Sequence, residues 1–405
     1  MRLNRRGGPL LVLLAALAFP GGAAHAYPWM IRHGYSGCGV CHVDPSGSGL
    51  LTDYGRAQSE LLMATQWSEQ KSEEASSLAD FGFGVFKLPD WLFLGITYRG
   101  AELVTRATSY DASGNQTSTS SDTRWLHMLA DLRAGLRIGR FRASGAIGWL
   151  PYQASGISIT SKTTNNIVAR EFWAGWVIGD ETGLVRAGRI QLPFGLRNVE
   201  HTAWVRANTA TDTNEGQSYG VALELGGETL RGELMAIAGN YQVKPDEYRE
   251  RGYSGYLEAM VAPSVALGVS SLVTRAERGI GTGVPTLRQA HGGFVRWAIV
   301  PPLVLLAEGD VLLRQRLGSG VLESGSATWT QLDWEPLQGF HVQPAFETLQ
   351  QFGDVGGVST GEWVTLDWFP QSHVELRIDI FFRQQPQSSG SVQSIGGLFQ
   401  VHVFL

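Results

Sequence analysis

From about residue 91 to its end, the chain alternates between apolar and polar positions. Between Trp125 and Arg137, Leu126, Met128, Ala130, Leu132, Ala134 and Leu136 share one parity, and His127, Asp131, Arg133 and Arg137 the other. Near the C-terminus Val374, Leu376, Ile378 and Ile380 alternate with Glu375, Arg377, Asp379 and Phe381. A period of two with charges opposite aliphatics marks a strand whose two faces meet different surroundings. Segmenting the region this way predicts about sixteen strands, each near the length a tilted strand needs to cross a bilayer. The predicted spans run from 92–107 and 124–138 to 373–384 and 395–405.

The connections carry a second pattern. Tight ones, such as Gly139-Arg140, Gly226-Gly227-Glu228, Pro263-Ser264, Pro301-Pro302 and Pro370-Gln371-Ser372, alternate with long polar ones at 108–123, 151–165, 193–216, 240–252, 276–287 and 385–394. Short turns at one end and long loops at the other are the arrangement of outer-membrane barrels, with the short turns periplasmic. A β-sandwich has no need of loop lengths that alternate over so many hairpins. Trp149, Tyr152, Trp368, Phe369, Phe381 and Phe382 lie near strand ends and are expected in interfacial girdles. The expected fold class is therefore all-β: an antiparallel outer-membrane β-barrel of about 16 strands over residues 91–405. An even strand count puts both barrel termini on the periplasmic side. Such a barrel leaves an aqueous lumen unless something fills it. Residues 27–90, expected to be partly helical, have a suitable size for a plug.

Composition fits this picture. Charged residues make up 17% of the chain and mean hydropathy is −0.06, because lipid-facing and lumen-facing residues average to nearly zero. The apolar run Leu10 to Phe19 is too short for a spanning helix, which needs about 20 residues. A net charge of −5 without a basic block argues against a nucleic-acid partner. Arg2, Arg5 and Arg6 precede the apolar run, and Pro20-Gly21-Gly22 and Ala24-His25-Ala26 follow it, so residues 1–26 read as a secretory signal cut after Ala26. Gly7-Gly8 stand where a twin-arginine signal has hydrophobic residues, which favours the general secretion route. The mature chain is expected to have 379 residues and a formal charge of −8, and to work outside the cytoplasm.

Both cysteines fall in Cys38-Gly39-Val40-Cys41-His42, the attachment sequence of a c-type haem. Two thiols at this spacing each form a thioether to a porphyrin vinyl group, and the adjacent imidazole is held beneath the iron as its proximal ligand. A disulfide or a thioredoxin-like pair would leave His42 without a role and lacks the βαβ pattern that goes with it. The expected cofactor is one covalent haem c on Cys38, Cys41 and His42, in a segment spanning 27–90. Candidates for the sixth iron position are His33, Met30 and Met63, the last within a predicted helix from Leu50 to Gln70, where a core methionine is the alternative. The long connection 193–216 carries Arg197, Glu200, His201, Arg206, Asp212 and Glu215. These are expected as solvated loop charges, with a lined constriction or a cation site as alternatives.

Signal, single CxxCH and porin-like barrel in one chain resemble the fused monohaem cytochrome–porins of bacterial outer membranes, whose best-known members are the outer-membrane cytochromes of iron-oxidising bacteria. The similar residues are Cys38 to His42, then Pro45, then Leu51-Thr52-Asp53-Tyr54-Gly55-Arg56; the Ser46-Gly47-Ser48-Gly49 insert departs from the iron oxidisers' pattern. The third long loop, 193–216, also matches the one that characteristically folds inward in sixteen-stranded porins. The ending Phe399 to Leu405 resembles the signature read by the barrel-assembly machinery, with Leu in place of the usual Phe. The resemblance implies a protein set in outer-membrane lipid that passes electrons between an extracellular donor or acceptor, Fe(II) in the iron oxidisers, and a periplasmic carrier such as a soluble cytochrome. The alternative expectation is a diffusion porin whose haem segment is a structural or redox-sensing plug. A periplasmic haem enzyme such as a peroxidase would not need a barrel of this size.

Overall fold

The computed structural model describes residues 28–405 apart from 36, 48, 68–73, 155, 161, 198–202, 213 and 354–356. The expected signal, with its cleavage point, and Glu200 and His201 lie outside the described residues.

Sixteen antiparallel strands form a closed barrel. They are β1 (Leu92–Asp111), β2 (Gln116–Ile138), β3 (Phe141–Leu150), β4 (Asn166–Ile178), β5 (Gly183–Gln191), β6 (Gln217–Leu225), β7 (Leu230–Gly239) and β8 (Arg251–Ala262). The second half comprises β9 (Val265–Ala276), β10 (Thr286–Val300), β11 (Leu303–Arg316), β12 (Leu322–Leu337), β13 (Phe340–Gln350), β14 (Ser359–Gln371), β15 (Val374–Gln387) and β16 (Gly390–Phe404). Each strand pairs with its sequence neighbours, and β1 closes on β16 with Thr97 opposite Phe404 and Asp111 opposite Gly390. Closure removes every free edge, so the backbone polar groups of the wall are satisfied within it.

The alternation sorts side chains as the sequence implies. Leu132, Leu234, Val269, Val311 and Ile380 are exposed on the outside, whereas Asp131, Arg133, Glu375, Arg377 and Asp379 are buried within the lumen. An apolar belt around an ionic interior is the requirement for crossing a bilayer as a barrel.

Three expectations are corrected. In β2 the single-parity apolar run is broken by a bulge: Leu129 lies opposite Arg99 but His127 opposite Gly100, leaving Met128 as the extra residue. Met128 therefore turns inward and packs on Ala101, Leu398 and Leu126. The loops expected at 108–123 and 385–394 are mostly strand, because β1–β2 and β15–β16 continue as long polar hairpins, with Thr108 opposite Thr119 in the first and Gln384 opposite Gln393 in the second. Of the expected girdle residues, Trp149 and Phe382 are exposed and Trp368 is half-buried, but Phe369 is buried beside His341 and Phe381 packs on Trp363.

The lumen is filled from both ends. Residues 28–67 form a plug: a 3₁₀ turn Pro28–His33, the Cys38–His42 segment, and a helix Asp53–Gln58 that widens into a last turn Ser59–Met63. The helix stops well short of the expected Gln70, because Ala64 is extended and the Thr65 amide donates to the Phe369 carbonyl, 2.9 Å away, on the barrel wall. From the loop end, residues 192–197, 203–212 and 214–216 fold inward around a short helix Trp204–Thr209. Trp29, Met30 and Ile31 of the plug share one buried core with Phe194, Leu196, Trp204 and Val205 of this loop and with Trp329 and Phe369 of the wall. Burying each such side chain contributes roughly 1.5–3 kcal/mol, so plug and loop hold each other in place.

Candidate functional site

The Cys38–His42 segment is a tight turn, with the His42 amide 3.1 Å from the Cys38 carbonyl. His42 then pairs with Leu51, and the Val43 amide donates to the Leu50 carbonyl at 2.9 Å, so residues 42–51 form a small hairpin. Thr52 joins hairpin to helix: its hydroxyl donates to the Val40 carbonyl at 2.6 Å and accepts from the Gly55 amide at 3.1 Å, capping the helix. Gly55 is required by proximity, since a Cβ there would stand 2.2 Å from the Cys41 carbonyl oxygen. Gly55→Ala is expected to cost about 1–3 kcal/mol and to displace Cys41, read as a lower thermal transition. An unchanged transition would refute the close-packing role.

Asp44 fastens this hairpin to the wall. Its carboxylate accepts from the Ser46 amide at 2.7 Å, from Arg186 of β5 at 2.7 Å and from the Trp173 indole of β4. Burial alone would push the Asp44 carboxyl up, but the Arg186 guanidinium and the Ser46 hydrogen bonds hold it below the usual carboxylate range. Arg186 passes the linkage on: it reaches Glu233 of β7 at 2.6 Å, and Glu233 also accepts from Arg197 of the inward loop at 2.6 Å. Elsewhere the plug is tied by Arg32 to Asp333 and Glu335 of β12, by Arg56 to the Leu94 carbonyl, and by the Gln338 side chain to the Leu61 and Ala64 carbonyls.

Three of the cavities around these elements follow one another along the lumen. An inner cavity of about 710 Å³ at the short-turn end is lined by Cys38, His42, Tyr54, Leu136, Val177 and Glu224. A middle cavity of about 160 Å³ lies between plug and wall and is lined by Met30, Cys41, His42, Met63, Arg99 and His402, among others. An outer cavity of about 870 Å³ beneath the long loops is lined by Arg170, Arg206, Asp212, Arg288 and Arg383, among others. His42 lines both inner and middle cavities, and Asn214 both middle and outer.

The sequence candidates separate accordingly. Cys38 and Cys41 are buried and are not joined in a disulfide. Met30 and Met63 are buried on the middle cavity beside Cys41 and His42, whereas His33 is exposed and lines neither the inner nor the middle cavity. The expectation that the charges of 193–216 are solvated is corrected. Arg206 pairs with Glu308 of β11 and Arg197 with Glu233, both within the lumen; Asp212 is half-buried and caps the Asn214 amide; only Glu215 of the described residues is exposed. The Trp204 amide donates to Glu347 of β13 at 2.8 Å and Leu196 to Glu308 at 2.9 Å, so wall carboxylates receive the inward loop. Sequence reasoning missed Asp44, Glu308 and Glu347, whose partners lie more than a hundred residues away.

A closed sixteen-stranded barrel with an apolar belt, an ionic lumen and an inward-folded third long loop defines the outer-membrane porin class of fold. Solved structures place the chain beside such proteins. It is similar to the anion-selective porin from Comamonas acidovorans (TM-score 0.53, 11% identity, covering 78% of this chain and 99% of that one). It is also similar to the outer membrane channel DcaP of Acinetobacter baumannii (0.54, 12%, 79% and 99%) and to OmpT of Vibrio cholerae (0.52, 8%, 78% and 99%). At these identities the likeness is one of fold. No protein-family model and no curated protein matches the chain.

Proposed function

We propose that this chain is an electron-transfer protein of the bacterial outer membrane, with one haem c carried on Cys38, Cys41 and His42 inside a plugged porin-like barrel. The observation that carries the reading is the seat of the motif: both thiols are buried, and His42 stands where two cavities meet. The residues suit the group. The thiols are not in a disulfide, and the inner cavity lies within the roughly 300–1,000 Å³ span of ligand pockets. A haem c, when bound, takes up and returns one electron without leaving the protein. Cys38 and Cys41 would anchor it, and His42 would ligate its iron. Asp44 and Thr52 hold that turn in position, and the buried core around Trp29 and Trp204 joins the plug to the inward loop. The inner cavity lies among the short turns, so a periplasmic carrier would exchange electrons there. An extracellular donor or acceptor, Fe(II) among them, would be served through the outer cavity.

The likeness to porins supports a second reading, a diffusion porin with the haem segment as a structural or redox-sensing plug. Expression with a cytochrome c maturation system, isolation of outer membranes and conductance in planar bilayers tests both. The electron-transfer reading expects covalent haem in the outer-membrane fraction and little ion conductance in either redox state. Conductance typical of an open sixteen-stranded pore would favour the porin, and absence of covalent haem would overturn the proposal.

A further inference from the structure

The chain between plug and barrel carries apolar side chains that neither of them covers. Trp67 and Val85 are each 75% exposed, and Leu78, Phe83 and Phe86 are exposed as well. These residues gather at one place, the short turn between β14 and β15. The Trp67 indole donates to the Pro370 carbonyl at 2.9 Å, His373 Nε2 lies 3.1 Å from the Leu78 carbonyl, and Phe83 meets the His373 ring edge-on at 5.3 Å. Glu60 of the plug draws the chain to the same turn, accepting from the Ser76 hydroxyl at 2.9 Å and the Ser372 hydroxyl at 3.2 Å. The shape of the segment is fixed. Phe81 lies under the Arg56 guanidinium at 5.6 Å, and Gly84, at a φ of +77°, stands where a Cβ would run into the Ser77 carbonyl. Val85 and Phe86 are therefore held outward by a defined turn, and an apolar patch held open in this way marks a contact surface.

We propose that Trp67 and the turn carrying Leu78, Phe83, Val85 and Phe86 rest in the periplasmic leaflet of the outer membrane, as an interfacial anchor for the plug. Continuity with the lipid-facing belt identifies the occupant as lipid. Trp368, between buried Asp367 and buried Phe369 and two residues from exposed Leu366, points outward from β14. Across the ladders Trp368 faces Phe340, and Phe340 faces Leu337, which is 71% exposed. Trp67 packs edge-on against Trp368 with ring centroids 6.4 Å apart, so a residue leaving the plug stands on the outer side of the wall. An indole whose N–H is satisfied by a carbonyl and whose ring is uncovered suits the headgroup level of a bilayer. The exposed charges of residues 74–91 are Glu74, Asp80, Lys87 and Asp90, three acids and one base, so the attraction is apolar rather than ionic. The short turns are periplasmic, which sets the leaflet. This anchor does not depend on the haem reading.

The test is photo-crosslinking of the full chain in intact cells, with p-benzoylphenylalanine in place of Trp67, Val85 or Phe86, one position at a time. Only protein with heat-modifiable migration is analysed, so a chain that fails to fold is left out of the comparison. Each of the three positions is expected to gain the mass of a phospholipid, as is the control position Ile380 on the lipid-facing belt. Tyr241, exposed among the long loops, is expected to gain no phospholipid. Adducts with another protein at Val85 and Phe86 would make this surface a docking site for a periplasmic partner and overturn the proposal. Absence of lipid adducts at Val85 and Phe86 while Ile380 is labelled would overturn it equally.

Discussion

On the haem reading, replacing Cys38 and Cys41 together by serine is expected to remove covalent haem completely while leaving a folded barrel in the membrane. These are the chain's only cysteines, and a serine hydroxyl does not add to a vinyl group to form a thioether, so no other residue can take over attachment. The wall does not depend on them. Its strands are joined by sixteen mutually paired ladders, none of which includes the plug. In-gel haem staining should fall to background, and heat-modifiable migration should persist. Staining retained in the double variant would show that the cofactor is held elsewhere.

The second large effect is expected at Asp44→Ala. Asp44 is fully buried, and removing its carboxylate leaves Trp173 without its acceptor and Arg186 with Glu233 alone, shared with Arg197. Breaking one side of a buried ion pair costs on the order of 3–5 kcal/mol, concentrated here on the contact between the haem-motif hairpin and the wall. The variant should show frequent conductance openings in planar bilayers, where the unsubstituted protein is expected, on the electron-transfer reading, to stay closed. Its pH dependence follows from a lowered carboxyl. The contribution is present in full above the unfolded aspartate value of about 3.9 and is lost as pH falls through the lower folded value. Openings of the unsubstituted protein should therefore appear only in strong acid, and those of Asp44→Ala should already be present at neutral pH. Equal, low conductance of both proteins at neutral pH would show that Asp44 does not hold the plug.

The barrel was legible because lipid and lumen impose a strict two-residue period, as at Glu375 to Ile380, where every predicted face is the observed one. The period carries no mark of a bulge when apolar residues occupy both sides of it. Met128 has the same parity as Leu132, yet they face opposite ways. The CxxCH spacing is visible in the sequence because it is local, and the surroundings that seat it are not. Asp44 reads as a loop acid until Arg186 is brought to it, and the loop charges Arg197 and Arg206 read as solvated until Glu233 and Glu308 arrive from other strands.

The plug's fastenings also set an order of events. Arg32 bonds to Asp333, 301 residues further along the chain, and Thr65 and Trp67 bond to Phe369, Trp368 and Pro370. Residues 32–67 are thus secured by some of the last strands to be made. Until β12 and β14 are in place the segment has only its ties to β1, β4 and β5, so on the haem reading thioether formation at Cys38 and Cys41 is expected in the interval before the barrel closes. Once the final strand pairs with the first, the segment is enclosed by a continuous wall. On the haem reading, attachment and sealing are expected to be sequential, and a chain that closed too early would trap its thiols unmodified.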